Sequence, residues 1–160
     1  MQAAVIPAIM HSYSPIRAHD ICVTAPTGSG KTLTYVLPIV QRLSERVVTR
    51  LRALVILPTR DLALQVKAVF DKFCPSLGLK VGLATGQSSF SAEQAAIVGA
   101  IPDTRSSGVS MVDILVATPG RLMDHLQSTP GFSLQHLQFL VIDEADRLLT
   151  QHYQDWVAKV

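Results

Sequence analysis

The stretch Ala25-Pro-Thr-Gly-Ser-Gly-Lys-Thr32 lies between an apolar run and a segment with helical periodicity. A glycine-rich turn between a strand and a helix lets successive backbone N–H groups point inward at an anion, and the start of the helix adds its positive dipole end. Lys31 follows at the position that holds the β- and γ-phosphates of a nucleotide, and Thr32 follows at the position that coordinates Mg²⁺. The stretch therefore predicts an ATP-Mg²⁺ site, with Lys31 also acting in catalysis. The residues predicted to contact the nucleotide here are Ala25, Thr27, Gly28, Ser29, Gly30, Lys31 and Thr32.

Short apolar runs rich in β-branched residues recur on both sides of this stretch and predict buried parallel strands. The four clear runs are Ile21–Ala25, Ala53–Leu57, Ile114–Ala117 and Phe139–Ile142, and a weaker fifth is Val81–Ala84. Helical patterns alternate with them, at Lys31 to about Val48, Asp61–Phe73, Arg121–Gln127 and beyond Asp146. The alternation predicts a doubly wound α/β fold with a mostly parallel sheet and helices on both faces. The polar segment Gly99–Asp113 is expected to be a mobile loop.

Composition limits the classes of protein that need to be considered. The chain has 160 residues, 48% of them hydrophobic, which fits one globular domain, and its net charge of +2 does not by itself indicate nucleic-acid binding. Cys22 and Cys74 form no disulfide framework, and the five histidines show no spacing typical of a zinc site. The first ten residues lack the basic region of a signal peptide, and no apolar run reaches the ~18 residues of a membrane span. We therefore expect a soluble, intracellular protein without a membrane partner.

A second chemical signal is the pair of acids that ends the run at Phe139–Ile142. Asp143 at the end of a strand could reach a Mg²⁺ ion bound at Thr32, and Glu144 could orient or deprotonate the attacking water. Alone, such a pair would usually cap the next helix. Together with the phosphate-binding loop, it predicts that Asp143 is a metal ligand and that Asp143 and Glu144 are catalytic.

These acids belong to the block Asp143-Glu-Ala-Asp146, which resembles the motif that names the DEAD-box RNA helicases. Other blocks resemble family motifs in the right order. Gln2 resembles the adenine-recognising glutamine, and the remaining blocks are Pro58-Thr-Arg-Asp-Leu-Ala-Leu-Gln65, Thr85-Gly86 and Thr118-Pro-Gly-Arg121. The resemblance spans essentially all 160 residues. It implies the first RecA-like domain of an ATP-dependent RNA helicase, with Gln2 added to the ATP site.

The resemblance also implies a surface that holds one RNA strand by its sugar-phosphate backbone. Two of its blocks place N–H groups at the start of a helix beside a guanidinium, which suits phosphate and carries no sequence information. Without the resemblance, the Thr118–Arg121 block would be a turn and helix start, and Arg60 could equally be part of a surface ion pair. The positions implied as RNA-binding are Pro58, Thr59, Arg60, Gly86, Thr118, Gly120 and Arg121.

The sequence departs from the family pattern in ways that bear on activity. Asp61 replaces a glutamate, Gln87 replaces a glycine, and the 160 residues contain neither the Ser-Ala-Thr motif nor the second RecA-like domain with its arginine finger. Such a finger contributes ~10³- to 10⁵-fold to hydrolysis in P-loop enzymes. We therefore expect this partial domain alone to hydrolyse ATP very slowly and not to unwind RNA.

Blocks outside the catalytic motifs resemble one branch of the family. The segments Gln2–Pro7 and Thr129–Leu134, together with the phosphate-binding loop, are similar to the branch that assembles the large ribosomal subunit. That resemblance implies ribosomal RNA as the substrate, ribosome-assembly factors as partners and residence in the nucleolus. Two alternatives remain open at this point: a truncated non-catalytic fragment that binds RNA or a partner, and a DNA helicase of the same superfamily.

Overall fold

The computed structural model describes residues 1–11, 20–26, 28–99, 110–150, 157 and 160. Thr27 and most of the segment predicted as a mobile loop lie outside the described residues. The elements are α1 (Gln2–His11), α2 (Lys31–Leu43), β1 (Ala53–Ile56), α3 (Arg60–Phe73), a 3₁₀ turn (Pro75–Leu77), β2 (Val81–Ala84), α4 (Phe90–Val98), β3 (Ile114–Ala117), α5 (Pro119–Ser128), β4 (Phe139–Ile142) and α6 (Ala145–Thr150).

The four strands form one parallel sheet in the order β2-β3-β1-β4. The predicted parallel α/β fold is thus confirmed. In the central strand, Ile56 lies opposite Ala117 of β3 and Ile142 of β4, so these three strands end in line. The ladder continues one residue further, because the Asp143 N–H donates to the Ile56 carbonyl at 3.0 Å and the Thr118 N–H to the Ala84 carbonyl at 3.0 Å. The residues after the strands therefore meet at one edge of the sheet.

Helices cover both faces of this sheet and create two hydrophobic cores. On one face, β1 contributes Ala53 and Val55, which pack with α2 and α3 around the fully buried Phe70. On the other face, β1 contributes Leu54 and Ile56, which pack with α4, α5 and α6. All four residues of β1 and all four of β3 are buried, as continuous apolar runs with β-branched residues predict for a sheet covered on both sides.

One predicted strand and one predicted helix end are wrong. Residues 21–25 carry no strand and Ile21 is 40% exposed, because a strand needs a neighbour to accept its backbone hydrogen bonds and none of the described strands pairs with this run. Helix α2 ends at Leu43, not near Val48. Past that point Arg46 turns toward the buried carboxylate of Asp113, with Nε 2.5 Å from Oδ1, and Val47 is left 95% exposed.

No helix among the described residues combines the length and apolar character needed to cross a membrane.

We expect Phe70→Ala to lower the free energy of unfolding by about 3–5 kcal/mol, because it removes a fully buried ring and leaves a cavity between α3 and the sheet. Equilibrium urea unfolding measures this change. Leu64→Ala is the matched control on the same helix, where Leu64 is 37% exposed and the change should stay within about 0.5 kcal/mol. Equal losses for the two variants would contradict this packing of α3.

Candidate functional site

Two glycines of the glycine-rich turn have backbone conformations that favour glycine. Gly28 has φ 78° and Gly30 has φ 84°, both in the left-handed region where a side chain is strained. Gly30 is the N-cap residue of α2, and no side chain caps this helix end. The first N–H groups of α2 are therefore available to an anion at the positive end of the helix.

Lys31 folds back over this turn. Its ammonium donates to the Ala25 carbonyl at 2.5 Å and to the Pro26 carbonyl at 3.0 Å. The positive charge thus lies above the loop whose N–H groups would surround a phosphate. A triphosphate would compete with two neutral carbonyls for this ammonium, and the charged acceptor makes the stronger hydrogen bond.

Tyr35 ties helix α2, which follows the glycine-rich turn, to the acid pair after β4. Its hydroxyl donates to Asp143 Oδ2 at 2.9 Å, and the Thr32 side chain lies close enough to lower the pKa of this hydroxyl in opposition to Asp143. Burial, reinforced by the charge of Asp143, raises the pKa of Tyr35 far above its ordinary value of 10, so the hydroxyl stays protonated. Thr32 and Asp143 both lie beside this hydroxyl, and a hydroxyl with a carboxylate is the kind of hard oxygen donor set that Mg²⁺ prefers. The residues fit the predicted metal.

Glu144 turns the chain from β4 into α6. Among the described residues it is the one non-glycine with a positive φ, at 53°, a conformation that costs about 1–3 kcal/mol. The turn is held because the Glu144 N–H donates to Asp143 Oδ1 at 3.0 Å. The carboxylate itself is only paired at the surface, with Arg147 at 3.0 Å. A glutamate that can exchange a surface partner is suited to orient a water.

Gln2 lies beside the glycine-rich turn although it is far from it in sequence. A Cβ placed on Gly30 would come within 2.6 Å of Gln2 Nε2, so the amide packs directly on this glycine. Helix α1 brings it there by packing against α2. The sequence did not predict this helix, because Pro7 interrupts its apolar run.

The residues predicted to bind RNA lie after strands β1, β2 and β3 at the same edge of the sheet. Thr59 caps α3, accepting from the Leu62 N–H at 3.4 Å, and Pro58 precedes it. Thr118 is the N-cap residue of α5, which begins Pro119-Gly120-Arg121, and its side chain makes no capping hydrogen bond. Both helices therefore present starting N–H groups at this edge.

Gly86 lies close to both arginines of this surface. With φ 75° it is left-handed, and a Cβ at this position would lie 3.6 Å from Arg60 Nη2 and 3.8 Å from Arg121 Nε. The structure thus brings together the three blocks that the sequence analysis assigned to RNA.

A buried acid that sequence reasoning missed lies behind these arginines. Glu93 of α4 is 2% exposed and accepts from Arg121 Nε at 2.6 Å and from His125 Nε2 at 3.2 Å. Burial on its own raises the pKa of Glu93, but hydrogen bonds from Arg121, the Gly86 N–H and His125 outweigh it and lower the pKa below the ordinary 4.5. Burial also lowers the pKa of His125 below 6.5, against the opposing effect of Glu93. In the sequence, the i,i+4 spacing of Arg121 and His125 was the signal that these two side chains lie on one face of a helix and could share an acidic partner.

A parallel sheet flanked by helices, a glycine-rich turn leading into α2 and an acid pair after β4 are together typical of a P-loop nucleotide-binding domain. The sequence profile described as DEAD/DEAH box helicase matches residues 1–160. The chain belongs to this helicase family.

Curated relatives carry the same description. The chain is 58% identical over 151 residues to DEAD-box ATP-dependent RNA helicase 1 of Arabidopsis thaliana, covering 88% of this chain and 29% of that protein. It is 51% identical over 170 residues to ATP-dependent RNA helicase DDX51 of Danio rerio, covering 100% of this chain and 25% of that protein. The crystal structure of the yeast DEAD-box splicing factor Prp28 is similar with a TM-score of 0.78 and 28% identity, covering 99% of this chain and 35% of that one. The chain thus spans about a quarter to a third of the length of these proteins.

We expect acid to destabilise the domain in two stages. Between about pH 6.5 and the depressed pKa of folded His125, the unfolded chain binds a proton that the folded chain does not, so stability falls as pH is lowered. The contribution of Glu93 to the free energy of unfolding is present above about pH 4.5 and is lost as pH falls through the lowered pKa of Glu93. Urea unfolding at a series of pH values measures both stages. His125→Gln should remove the upper stage, whereas His136→Gln, at an exposed site, should leave it; an unchanged upper stage in His125→Gln would contradict the assignment.

Proposed function

We propose that the chain is the ATP-binding first RecA-like domain of an ATP-dependent RNA helicase. The observation that carries this proposal is the hydrogen bond from the Tyr35 hydroxyl to Asp143, because it ties the helix that begins at the glycine-rich turn to the acid pair. Membership of the helicase family and relatives named as ATP-dependent RNA helicases support it.

Each residue of the ATP site has a distinct role in this proposal. Lys31 exchanges the carbonyls of Ala25 and Pro26 for the β- and γ-phosphates. The N–H groups of Gly28–Thr32 surround phosphate oxygens, with Ala25 and Thr27 completing the loop, and Gln2 reads the adenine. Thr32 and Asp143 hold Mg²⁺, which neutralises phosphate charge when bound. Glu144 orients the attacking water and accepts its proton.

The RNA-binding part of the proposal concerns the strand-end surface formed by Pro58–Arg60, Gly86 and Thr118–Arg121. The convergence of Arg60 and Arg121 at Gly86 and the uncapped start of α5 support contact with the sugar-phosphate backbone. Such contacts position RNA without reading its sequence.

The similar helicases are longer than this chain, which covers 25% of DDX51 of Danio rerio. Because the chain spans only about a quarter of the length of similar helicases, we propose that a second RecA-like domain supplies the arginine finger and that this domain alone hydrolyses ATP slowly. From the resemblance described above, we further propose ribosomal RNA as substrate, ribosome-assembly factors as partners and residence in the nucleolus. Exclusively cytoplasmic fluorescence of a tagged full-length protein would contradict this placement.

We expect Lys31→Ala to raise the Kd for a fluorescent ATP analogue with Mg²⁺ by about 10- to 150-fold, the loss of a charged hydrogen bond of about 1.5–3 kcal/mol. Fluorescence titration of the 160-residue chain measures it. Lys67→Ala removes the same charge from an exposed ion pair with Asp71 on α3 and should bind as the unchanged chain does. Equal Kd values for the Lys31 variant and the unchanged chain would exclude the proposed nucleotide site.

We expect Glu144→Gln, made in the full-length protein, to bind ATP normally and to lower RNA-stimulated turnover by about 10²- to 10⁴-fold, because the amide cannot accept the proton of the attacking water. A steady-state phosphate-release assay reports turnover. Glu45→Gln makes the same chemical change at an exposed position after α2 and should leave turnover intact. Normal turnover in the Glu144 variant would remove this residue from catalysis.

A further inference from the structure

Glu93 connects two separate parts of the strand-end surface through its two oxygens. Oε1 accepts from the backbone N–H of Gly86 at 2.9 Å and of Thr85 at 3.3 Å. Oε2 accepts from Arg121 Nε at 2.6 Å and His125 Nε2 at 3.2 Å. One carboxylate thus fixes a turn after β2 and a guanidinium on α5.

A chain of hydrogen bonds behind Glu93 holds its carboxylate in one orientation. A carboxylate only accepts, so His125 donates from Nε2 and its Nδ1 accepts from the Thr129 hydroxyl at 2.8 Å. Gln94 completes the chain by donating to Thr129 Oγ1 at 3.2 Å and to the Ser128 carbonyl at 3.0 Å. Glu93 is therefore anchored between α4 and α5 rather than free to rotate.

Phe90 confines the same guanidinium from another side. Its ring lies 4.7 Å from the Arg121 guanidinium carbon and 4.8 Å from the His125 ring, centroid to centroid. Arg121 is consequently held by an aromatic face and a buried acid, with its side chain 18% exposed. Its Nη1 reaches the surface, where it pairs with the exposed Asp124 at 3.4 Å.

The placement of an acid here is at odds with simple electrostatics. A negative charge beside a phosphate-binding surface repels RNA, and burying it requires compensating hydrogen bonds. Glu93 has four such donors within 3.3 Å, and two of them belong to residues of the strand-end surface, Gly86 and Arg121. An acid that merely joined α4 to α5 would not need to bind the amides of the Thr85-Gly86 turn.

We propose that Glu93 is a positioning residue for RNA binding, an inference that rests on the proposed function. Its carboxylate holds the Gly86 turn and Arg121 in one fixed arrangement, so that both face a backbone phosphate without reorganising. Glu93 itself does not touch RNA. Its loss lowers RNA affinity even though it removes a repulsive charge.

The sign of the affinity change distinguishes this role from a purely electrostatic one. We would measure binding of a fluorescein-labelled oligouridylate to the 160-residue chain by anisotropy, with Mg²⁺ and a non-hydrolysable ATP analogue. Glu93→Gln should weaken binding about tenfold. Asp124→Asn is the matched control: it removes an equal charge from the same arginine but touches neither turn amide, and it should strengthen binding by up to about fivefold.

Each outcome has a separate meaning. If the Glu93 variant is folded and binds RNA as tightly as the unchanged chain, or more tightly, Glu93 is not a positioning residue while the proposed function stands. If the unchanged chain does not bind RNA, the proposed RNA surface fails and the inference fails with it. Circular dichroism and urea unfolding establish whether the variants are folded.

A measurement on the unchanged chain keeps the inference testable if the variants do not fold. Amide hydrogen exchange should show the Thr85 and Gly86 N–H groups protected in the absence of RNA, because both donate to the buried carboxylate. Exchange of these two amides at the rate of an open loop would overturn the inference.

Discussion

Parallel hydrogen bonding places Ile56 of the central strand level with Ala117 and Ile142 on its two sides. Because parallel strands in register end on the same side, this pairing alone decides that the segment after β1, the start of α5 and the acid pair are neighbours. None of these groups is close to another in sequence. The apolar helices that bury both faces of β1 and β3 stabilise the register, and the site follows from it.

The parts of the site proposed to bind nucleotide and RNA are each organised by one hydrogen-bonding side chain. In each, a buried or partly buried side chain joins a glycine-rich turn to an element far away in sequence. Tyr35 does so as a neutral donor that ties α2, the helix after the glycine-rich turn, to Asp143. Glu93 does so near Gly86 as an anion with several donors. A neutral donor suits the place proposed for phosphates and a metal, which bring their own charges, whereas an anion suits a place where a guanidinium must be oriented.

The sequence predicted those features that depend on local pattern. Apolar β-branched runs identified β1–β4, and the glycines before Lys31 indicated the turn that leads into α2. It failed where long-range partners decide the outcome: the run at residues 21–25 has the composition of a strand but no pairing neighbour among the described strands. Glu93 was missed for the same reason, since one acid in an apolar helix is usually a surface residue and only the fold reveals the donors that surround it.

The left-handed backbone of Glu144 has a consequence for how the protein responds to selection. Glycine adopts this conformation without strain. Replacing Glu144 by glycine would therefore relieve about 1–3 kcal/mol of backbone strain and would delete the carboxylate. Stability and chemistry therefore make opposite demands at this residue. A library screened for thermal resistance alone would enrich glycine at position 144, and, on the role proposed for Glu144, its most heat-tolerant members would be the least able to act on a nucleotide.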